Sequence, residues 1–438
     1  MLERLIARSQ TAPIHTPTGV VLEVVGMIVE IGGLRAAVGA TLLISSQTDK
    51  PLEVEVVGFR NGRLLTTPLG PLDGVRPGAP VSPTSRGATV PVGMQLLGRV
   101  VDAFGQPVDG LGTPSAECSV PLRAAPPSPF ARKPIHDHFV TGVRAIDGIL
   151  PMGVGQRMGI FAGTGVGKST LLGMICRSSN ADVNVIALIG ERGRELNDFI
   201  RNSLGAEGLA RSVIVSATSD QPPLVRARGA ETATAIAEYF RDQGKSVLLM
   251  MDSVTRYAMA LREAALAAGE PPATKGYPPS VFAALPRLLE RAGTSGGTGV
   301  ITALYAVLVE GDDMQDPISD AVRGILDGHI VMSRTLGERG HFPAIDVLAS
   351  ISRLATEISS EAEKRAAGAI RDLMGAYREA SDLIQVGAYV PGSDPRVDAA
   401  IQAVPQIDGF LRQRSVDKST LQETHARMYA LERSFPRR

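Results

Sequence analysis

The amino-acid sequence predicts a multi-domain α/β protein with a small N-terminal β-barrel, a central domain built on a mainly parallel sheet, and a C-terminal α-helical domain. Three observations support this fold class. Short β-branched segments fill the chain before residue 90, strand-like and helix-like segments alternate after residue 134, and strand signals stop near residue 356. The length of 438 residues agrees, because about 150 residues per domain suggests about three domains.

The composition is that of a folded globular protein, with 44% hydrophobic and 21% charged residues. The 45 basic residues balance the 45 acidic ones, so no long-range field favours nucleic acid or anionic lipid as a partner. Cys118 and Cys176 are too few for a disulfide framework or a four-ligand zinc site, and both are expected to be buried. Without a secretory signal or a membrane-length apolar run, we expect a cytoplasmic protein whose membrane contact is peripheral.

The N-terminal domain is predicted to span residues 1–90. Its strand-like stretches are separated by Gly, Pro or Asn-Gly, the residues that make tight turns between strands. A closed barrel is favoured over a β-sandwich, because four to six short strands close more easily than they split into two sheets.

The central domain is predicted to span residues 91–355, with an entry linker at 91–134 that ends in the proline-rich run PLRAAPPSPFARKP. Beyond it, RMGIFA precedes KSTLLGMICRSS, VNVIALIG precedes RELNDFIRNSL, and SVLLMMD precedes VTRYAMALREAALAA. Such alternation predicts parallel strands joined by right-handed crossovers. Residues 356–438 have helical periodicity and form the predicted C-terminal domain.

Residues 162–169, AGTGVGKS, have the pattern of a phosphate-binding loop and lie between a predicted strand and a predicted helix. The first position is Ala where the strict motif has Gly, but the later glycines supply the tight turn. Lys168 is expected to reach the β- and γ-phosphates, and Ser169 to bind Mg²⁺ through its hydroxyl. The residues expected to contact nucleotide are Gly163, Thr164, Gly165, Val166, Gly167, Lys168, Ser169 and Thr170.

Two carboxylates complete a predicted hydrolytic site. The apolar strand SVLLMMD ends at Asp252, the Walker B position from which an acid holds Mg²⁺ through water. The strand VNVIALIG is followed by Glu191, at the edge where parallel sheets build their sites, and Glu191 is our candidate for polarising the attacking water. A surface ion pair with a neighbouring arginine is the alternative interpretation of Glu191.

Four segments carry a resemblance to a known family. GERGRELNDFI closely resembles the segment with the catalytic glutamate in rotary ATP synthase catalytic subunits and in flagellar and type III secretion export ATPases. PAIDVLASIS resembles the ten-residue signature of that superfamily, and GEPPATKGYPPSVFAALPRLLERAG and VEGDDMQDPISDAVRGILDGHIVMSR resemble the export ATPases in particular. The resemblance implies a β-barrel, a RecA-like ATPase domain and a helical domain, assembled as a homohexamer that hydrolyses ATP with Mg²⁺.

Position by position, the resemblance supports the assignments of Lys168, Ser169, Glu191 and Asp252. It also implies that Arg192, Arg353, Phe342 and Tyr389 belong to the site. Arg192 is expected to contact the γ-phosphate or to couple subunits.

Arg353 resembles the arginine finger that enters the neighbouring subunit's site, where a planar guanidinium neutralises charge on the transferring phosphoryl group. Phe342 aligns with the aromatic residue that packs on adenine, and Tyr389 with a second adenine neighbour.

The resemblance also implies partners: a central stalk protein, a stator or regulator, export substrates with their chaperones, and a membrane export gate at the cytoplasmic face of the inner membrane. Asp312, Asp313 and Asp316 are expected to lie in the loop that faces the stalk, or else to form a solvated acidic loop. Only about 18 residues precede the predicted barrel, so we expect the arm that binds the stator to be short or absent.

Four functions are compatible with a phosphate-binding loop in a ring-forming protein. The favoured one is a flagellar or injectisome export ATPase, because DLMGAYREASDLIQVGAY replaces the acidic stretch of ATP synthase catalytic subunits. The second is a rotary ATP synthase or V-type catalytic subunit. A non-catalytic subunit would lack Glu191 or Lys168, and an RNA translocase would need an aromatic-rich barrel, whereas residues 1–90 contain one aromatic residue, Phe59.

Overall fold

The computed structural model describes residues 18–47, 50–84, 88–309, 311, 313 and 315–435. The chain divides into two compact units with the main break after Thr89. The first unit holds the N-terminal residues and the short segments Pro222–Val225 and Glu263–Pro271, and the second unit holds the remainder.

The first unit is a closed six-stranded barrel with the strand order β1-β2-β5-β4-β3-β6. Alternate residues of each strand point inward and form an aliphatic core, as the period-two pattern requires. Between β4 and β5, Asn61 and Gly62 have φ values of 50° and 74°, the left-handed pair that a two-residue hairpin turn needs. The predicted barrel is confirmed. Its strands are β1 (Gly19–Val25), β2 (Ile28–Gly32), β3 (Thr41–Ile44), β4 (Leu52–Arg60), β5 (Arg63–Pro68) and β6 (Pro80–Pro83).

The second unit is built on an eight-stranded sheet with two short two-stranded ribbons beside it. The ribbons pair β7 (Thr89–Val92) with β9 (Cys118–Pro121), and β10 (His138–Phe139) with β11 (Met152–Gly153). The strands of the large sheet are β8 (Val100–Val101), β12 (Arg157–Ala162), β13 (Val183–Ile189), β14 (Ser212–Ala217), β15 (Ser246–Asp252), β16 (Val300–Leu308), β17 (Gly328–Met332) and β18 (Ile345–Ser352).

The order in this sheet is β18-β17-β12-β16-β15-β13-β14-β8. Every pairing is parallel except that of β17 with β18, so the predicted mainly parallel sheet is confirmed. All seven residues of β13 are buried, because helices cover both faces of such a sheet. The carboxyl ends of β12, β13 and β15 therefore meet at one edge, where the loops that follow them can combine into a site.

Helices cross between the strands and then continue alone after β18. The α-helices are α1 (Lys168–Ser178), α2 (Gly193–Asp198), α3 (Gly205–Ala210), α4 (Pro223–Asp242), α5 (Val254–Ala267), α6 (Pro279–Leu289), α7 (Pro317–Ile325), α8 (Arg334–Glu338), α9 (Ala355–Ile358), α10 (Glu361–Gln385), α11 (Pro395–Leu411) and α12 (Leu421–Ser434). Shorter turns are π-helical at Ala145–Ile149 and Phe199–Leu204, and 3-10 at Met94–Leu96, Pro129–Ala131 and Thr274–Gly276.

The last three helices share one apolar core with the sheet. Helix α10 begins with a capping box, in which Ser360 and Glu363 each bond the other's backbone N–H. Ala366 and Ile370 on α10, Ile407 on α11 and Met428 on α12 are buried in the same cluster as the residues of β12 and β18. The helical domain is therefore packed directly on the sheet that carries the phosphate-binding loop.

The helices and the two cysteines can be compared with the sequence predictions. Across the described ranges, no helix is both long enough and apolar enough to cross a lipid bilayer. Cys176 is buried in α1 as expected, whereas Cys118 is exposed on the short strand β9, so the expectation that both cysteines are buried was wrong for Cys118. None of the four residues of β9 is buried, so the thiol of Cys118 lies at the protein surface.

Candidate active site

The phosphate-binding loop joins the end of β12 to the start of α1. Gly165 and Gly167 have φ values of 80° and 87°, which residues with side chains rarely adopt. Between them, the side chain of Val166 is 2% exposed and packs into the core of the sheet, which holds the loop in place. The loop therefore presents its backbone at the N-terminus of an eleven-residue helix, where N–H groups and the helix dipole favour an anion.

Lys168 and Asp252 are in contact at the carboxyl edge of the sheet. The ammonium group of Lys168, at the start of α1, forms an ion pair with the carboxylate of Asp252, at the end of β15. Strand β16 lies between β12 and β15, so the lysine side chain reaches across one strand to make this contact. Asp252 is 4% exposed, and the hydroxyl-bearing Ser169 is exposed beside Lys168 in the first turn of α1.

Glu191 lies at the same edge, after the end of β13. The preceding Gly190 has φ 69°, and a Cβ atom there would lie 3.2 Å from the side chain of Arg256. Burial raises the pKa of Glu191 to about 7, and a hydrogen bond with Glu195 and the negative charge of Asp252 act in the same direction. The same hydrogen bond holds the pKa of Glu195 below its usual value. When this pair of carboxyls holds one proton, the proton is therefore on Glu191.

The two predicted adenine contacts differ in their surroundings. Phe342 is 46% exposed, and its ring lies 3.6 Å from the position that a Cβ atom on Gly167 would occupy. The structure thus places an exposed aromatic ring beside the phosphate-binding loop. Tyr389 lies in the turn between α10 and α11, where its hydroxyl is within hydrogen-bonding distance of Asp394 and Asp398. None of the hydrogen bonds described for Tyr389 reaches the loop.

The two predicted arginines also differ in position. Arg192 follows Glu191, and its side chain is 83% exposed, with a guanidinium nitrogen 3.9 Å from the carboxylate of Glu195. Arg353 follows β18 and is exposed, with one guanidinium nitrogen 3.3 Å from the carbonyl oxygen of Arg323. In the part of the chain that the structure describes, Arg353 forms no ion pair with a carboxylate.

Arg353 lies at the opposite edge of the sheet from the phosphate-binding loop. Strand β18 runs antiparallel to β17, and its last residue, Ser352, pairs with Gly328 at the start of β17. The backbone N–H of Arg353 donates to the carbonyl of Asp327, just before that strand. Because β12 runs parallel to β17 and is about 20 Å long at roughly 3.3 Å per residue, Arg353 is separated from the loop by the length of the sheet.

The acidic residues predicted to face a stalk are held by local contacts. The carboxylate of Asp313 lies 3.3 Å from the ammonium group of Lys275. Asp316 is the N-cap of α7, and its carboxylate accepts hydrogen bonds from the backbone N–H groups of Ile318 and Ser319. Asp312 lies outside the described residues.

Comparisons with known proteins identify the family. Residues 142–352 match the model of the ATP synthase alpha/beta family, nucleotide-binding domain, and residues 359–430 match that of the T3SS EscN ATPase C-terminal domain. The chain is 52% identical over 415 residues to the flagellum-specific ATP synthase of Bacillus subtilis, with 94% of each chain covered. It is 49% identical over 424 residues to the type 3 secretion system ATPase of Xanthomonas euvesicatoria, covering 97% of this chain and 95% of that one.

The chain belongs to the family of flagellar and type III secretion export ATPases. The fold agrees. The assembled ATPase EscN of enteropathogenic E. coli, solved in complex with its central stalk EscO, superposes with a TM-score of 0.87 at 44% identity, covering 94% of this chain and 99% of that one. The match to the EscN C-terminal domain favours the export ATPases over the rotary ATP synthase subunits. With a nucleotide-binding domain of this family and ATPases among its relatives, this export ATPase hydrolyses ATP.

Two residues of this export ATPase's site were missed by the sequence analysis. Glu195 shares a hydrogen bond with Glu191, and Arg256 packs its side chain against Gly190. Both were detectable in principle. Glu195 lies in the first turn of α2, the short helix that begins two residues after Glu191, and Arg256 lies in the first turn of α5, the helix that follows the Walker B strand.

Proposed function

We propose that this export ATPase is a homohexamer whose sites are completed across subunit boundaries, and that ATP hydrolysis there releases chaperones from export substrates and unfolds those substrates. One observation carries the proposal. Lys168, Glu191 and Asp252 converge at the carboxyl edge of the sheet, whereas Arg353 is exposed at the opposite edge of the same sheet. Arg353 cannot reach its own chain's phosphate-binding loop, but an adjacent subunit in a ring can present that loop to it.

In this proposal, Lys168 exchanges its contact with Asp252 for the β- and γ-phosphates of ATP. The ion pair shows that the ammonium group is already directed to an anion at this point. The hydroxyl of Ser169 and the freed carboxylate of Asp252 form a set of oxygen donors that suits Mg²⁺. Bound Mg²⁺ would neutralise charge on the phosphates.

Glu191 is proposed to orient and polarise the attacking water. A carboxyl whose pKa is about 7 can accept a proton from water and release it again at neutral pH. Glu195 holds the side chain of Glu191 through their shared hydrogen bond, and Arg256 fills the space behind Gly190. Arg192, exposed beside this pair, is proposed to contact the γ-phosphate or a neighbouring subunit.

Phe342 is proposed to pack on the adenine ring. Its exposed ring beside Gly167 leaves the flat face available to a base whose phosphates lie in the loop. The role of Tyr389 as a second adenine neighbour stays a prediction from the resemblance. Its hydroxyl bonds to Asp394 and Asp398, at the start of α11, and not to the phosphate-binding loop.

The remaining proposals concern assembly and location. EscN has been solved as an assembled ATPase with its central stalk EscO, and we propose a comparable stalk contact here through Asp312, Asp313 and Asp316. We also propose domains at 1–90, 91–355 and 356–438, with the first mediating oligomerisation. A stator or regulator and an export gate would hold the ring at the cytoplasmic face of the bacterial inner membrane.

The roles of Lys168 and Glu191 can be tested by separating nucleotide binding from hydrolysis. We expect Glu191→Gln to bind ATP normally and to lose at least about a hundredfold in turnover, which is the usual scale of a lost general base. Lys168→Ala should lose binding as well. Glu379→Gln, an exposed glutamate on α10, is the matched control and should behave as wild type. Near-normal turnover of Glu191→Gln in assembled protein would remove Glu191 from the mechanism.

A further inference from the structure

The segment that joins α11 to α12, residues 412–420, is bonded to the nucleotide-binding domain at several points. The guanidinium of Arg144 donates to the carbonyl oxygen of Phe410, at 2.7 Å, and to that of Arg412. Arg177, near the end of α1, donates to the carbonyl oxygen of Ser415 at 2.6 Å. One short connection of the helical domain therefore bonds both to the helix that follows the phosphate-binding loop and to the start of the nucleotide-binding domain.

Gln413 is the centre of this segment. Its side chain is buried, and every polar atom of it is used. The amide oxygen accepts from the backbone N–H of Arg144 at 3.0 Å, and the amide nitrogen donates to the carbonyl oxygens of Gly142, at 2.8 Å, and Asp417, at 3.0 Å. These bonds fix the position of Gln413 relative to the nucleotide-binding domain, because a buried amide loses stability if any of its partners moves away.

The backbone of Gln413 reaches the predicted adenine contact. Its N–H donates to the carbonyl oxygen of Phe342 at 2.9 Å. Phe342 in turn places its ring beside Gly167, in the phosphate-binding loop. A second contact lies next to this one, where a ring nitrogen of the buried His341 is 3.7 Å from a carboxylate oxygen of Asp408 on α11.

We propose that Gln413 is a positioning residue for nucleotide binding: it ties the carbonyl of Phe342 to the helical domain and thereby holds the aromatic ring beside the phosphate-binding loop. The proposal rests on the adenine role proposed for Phe342. It follows that the C-terminal helical domain sets the affinity for the base, while the phosphate contacts are set by the loop itself.

The proposal is tested with two ligands that share phosphates and differ in the base. Binding of adenylyl imidodiphosphate and of tripolyphosphate, each with Mg²⁺, is measured by calorimetry on the full chain. Gln413→Ala should bind the adenine ligand roughly three- to tenfold more weakly, the scale of one displaced aromatic contact, and tripolyphosphate as wild type does. In steady state, KM for ATP should rise while kcat stays unchanged. Gln406→Ala, an exposed glutamine on α11, is the matched control.

A double-mutant cycle with Phe342→Ala separates positioning from a general structural effect. If Gln413 acts through Phe342, the double variant should bind the adenine ligand no more weakly than Phe342→Ala alone. Equal weakening of both ligands by Gln413→Ala, or losses that multiply in the double variant, would overturn the proposal. So would an adenine affinity unchanged in Gln413→Ala while Phe342→Ala weakens it. If Phe342→Ala itself leaves adenine affinity intact, the adenine role of Phe342 fails as well.

Discussion

Asp147 is a fully buried carboxylate in the segment that leads into the nucleotide-binding domain. It accepts hydrogen bonds from the backbone N–H groups of Thr141 and Gly142 and from the Thr141 hydroxyl. These donors favour the ionised form, yet burial outweighs them and raises the pKa of Asp147 to about 6. The carbonyl oxygen of Gly142 also accepts a hydrogen bond from the side chain of Gln413, so Asp147 holds the backbone to which Gln413 is bonded.

The pKa of Asp147 predicts a pH-dependent stability. The folded chain takes up a proton near pH 6 that the unfolded chain takes up near pH 3.8, so between these values the folded state binds more protons. The free energy of unfolding should therefore fall as pH rises through this window, by roughly 3 kcal/mol in all at 1.4 kcal/mol per pH unit.

Asp147→Asn cannot titrate, so the stability of the wild type relative to this variant should decline as pH rises from about 4 to 6. Denaturant titrations of both proteins at a series of pH values measure this difference. The variant also turns an amide N–H toward the N–H of Gly142, which should lower its stability at every pH by about 1–3 kcal/mol. Parallel pH profiles for the two proteins would contradict the assigned pKa.

At the scale of elements, α1 ends in close contact with the segment that precedes the sheet. Gly142 has φ 74°, and a Cβ atom there would lie 2.4 Å from the Cβ of Ser178, the last residue of α1. No rotamer change can relieve such a contact, since the Cβ position is fixed by the backbone. The helix that begins at Lys168 is thus held at its far end by a position where only glycine fits.

Gly142→Ala should therefore lower the free energy of unfolding by about 2–5 kcal/mol, the sum of the left-handed backbone cost and the overpacking cost. Adding Ser178→Gly removes the overpacking and should recover only that part. Gly387→Ala is the matched control, because Gly387 has φ 70° with no atom near its Cβ position, and it should cost about 1 kcal/mol. Equal costs at the two glycines would show that the close approach to Ser178 is tolerated.

Some contacts between elements could be predicted from the sequence, and others could not. The placement of Lys168, Glu191 and Asp252 at one edge could be predicted, because each lies at or after the carboxyl end of a recognisable buried strand and parallel strands share their carboxyl edge. The bond between Arg144 and Gln413 joins residues 269 positions apart, and no local pattern indicates it.

The role of Asp316 as a helix cap was also missed, although an Asp followed by Pro at the start of an amphipathic segment is a cap signal. The strand order of the barrel depends on long-range pairing and was likewise outside the reach of the sequence.

At the scale of the whole molecule, the residues proposed to act on one nucleotide lie at the two opposite edges of the sheet. The loop, the Walker B acid and Glu191 occupy the carboxyl edge, and Arg353 occupies the amino edge beside Asp327. A rigid sheet keeps them apart within one chain. A guanidinium can then reach a transferring phosphoryl group only when a second chain brings its own carboxyl edge to it, which a head-to-tail ring achieves at every interface.

Mixing two inactive variants tests this arrangement. Rings of Arg353→Ala alone, or of Glu191→Gln alone, should hydrolyse ATP at most at about a thousandth and a hundredth of the wild-type rate. In an equal mixture, about a quarter of the interfaces join an intact Glu191 site to an intact Arg353 from the next subunit, so hydrolysis should reappear.

The control is an equal mixture of Lys168→Ala and Glu191→Gln, in which every subunit carries a damaged site while every Arg353 is intact. Such rings should stay inactive at all mixing ratios, although they co-assemble equally well by size-exclusion chromatography. If the Arg353→Ala mixture were as inactive as this control, Arg353 would act within its own chain or not at all. Recovered hydrolysis would mean that one chain folds correctly without containing a complete site, and that assembly itself switches the enzyme on.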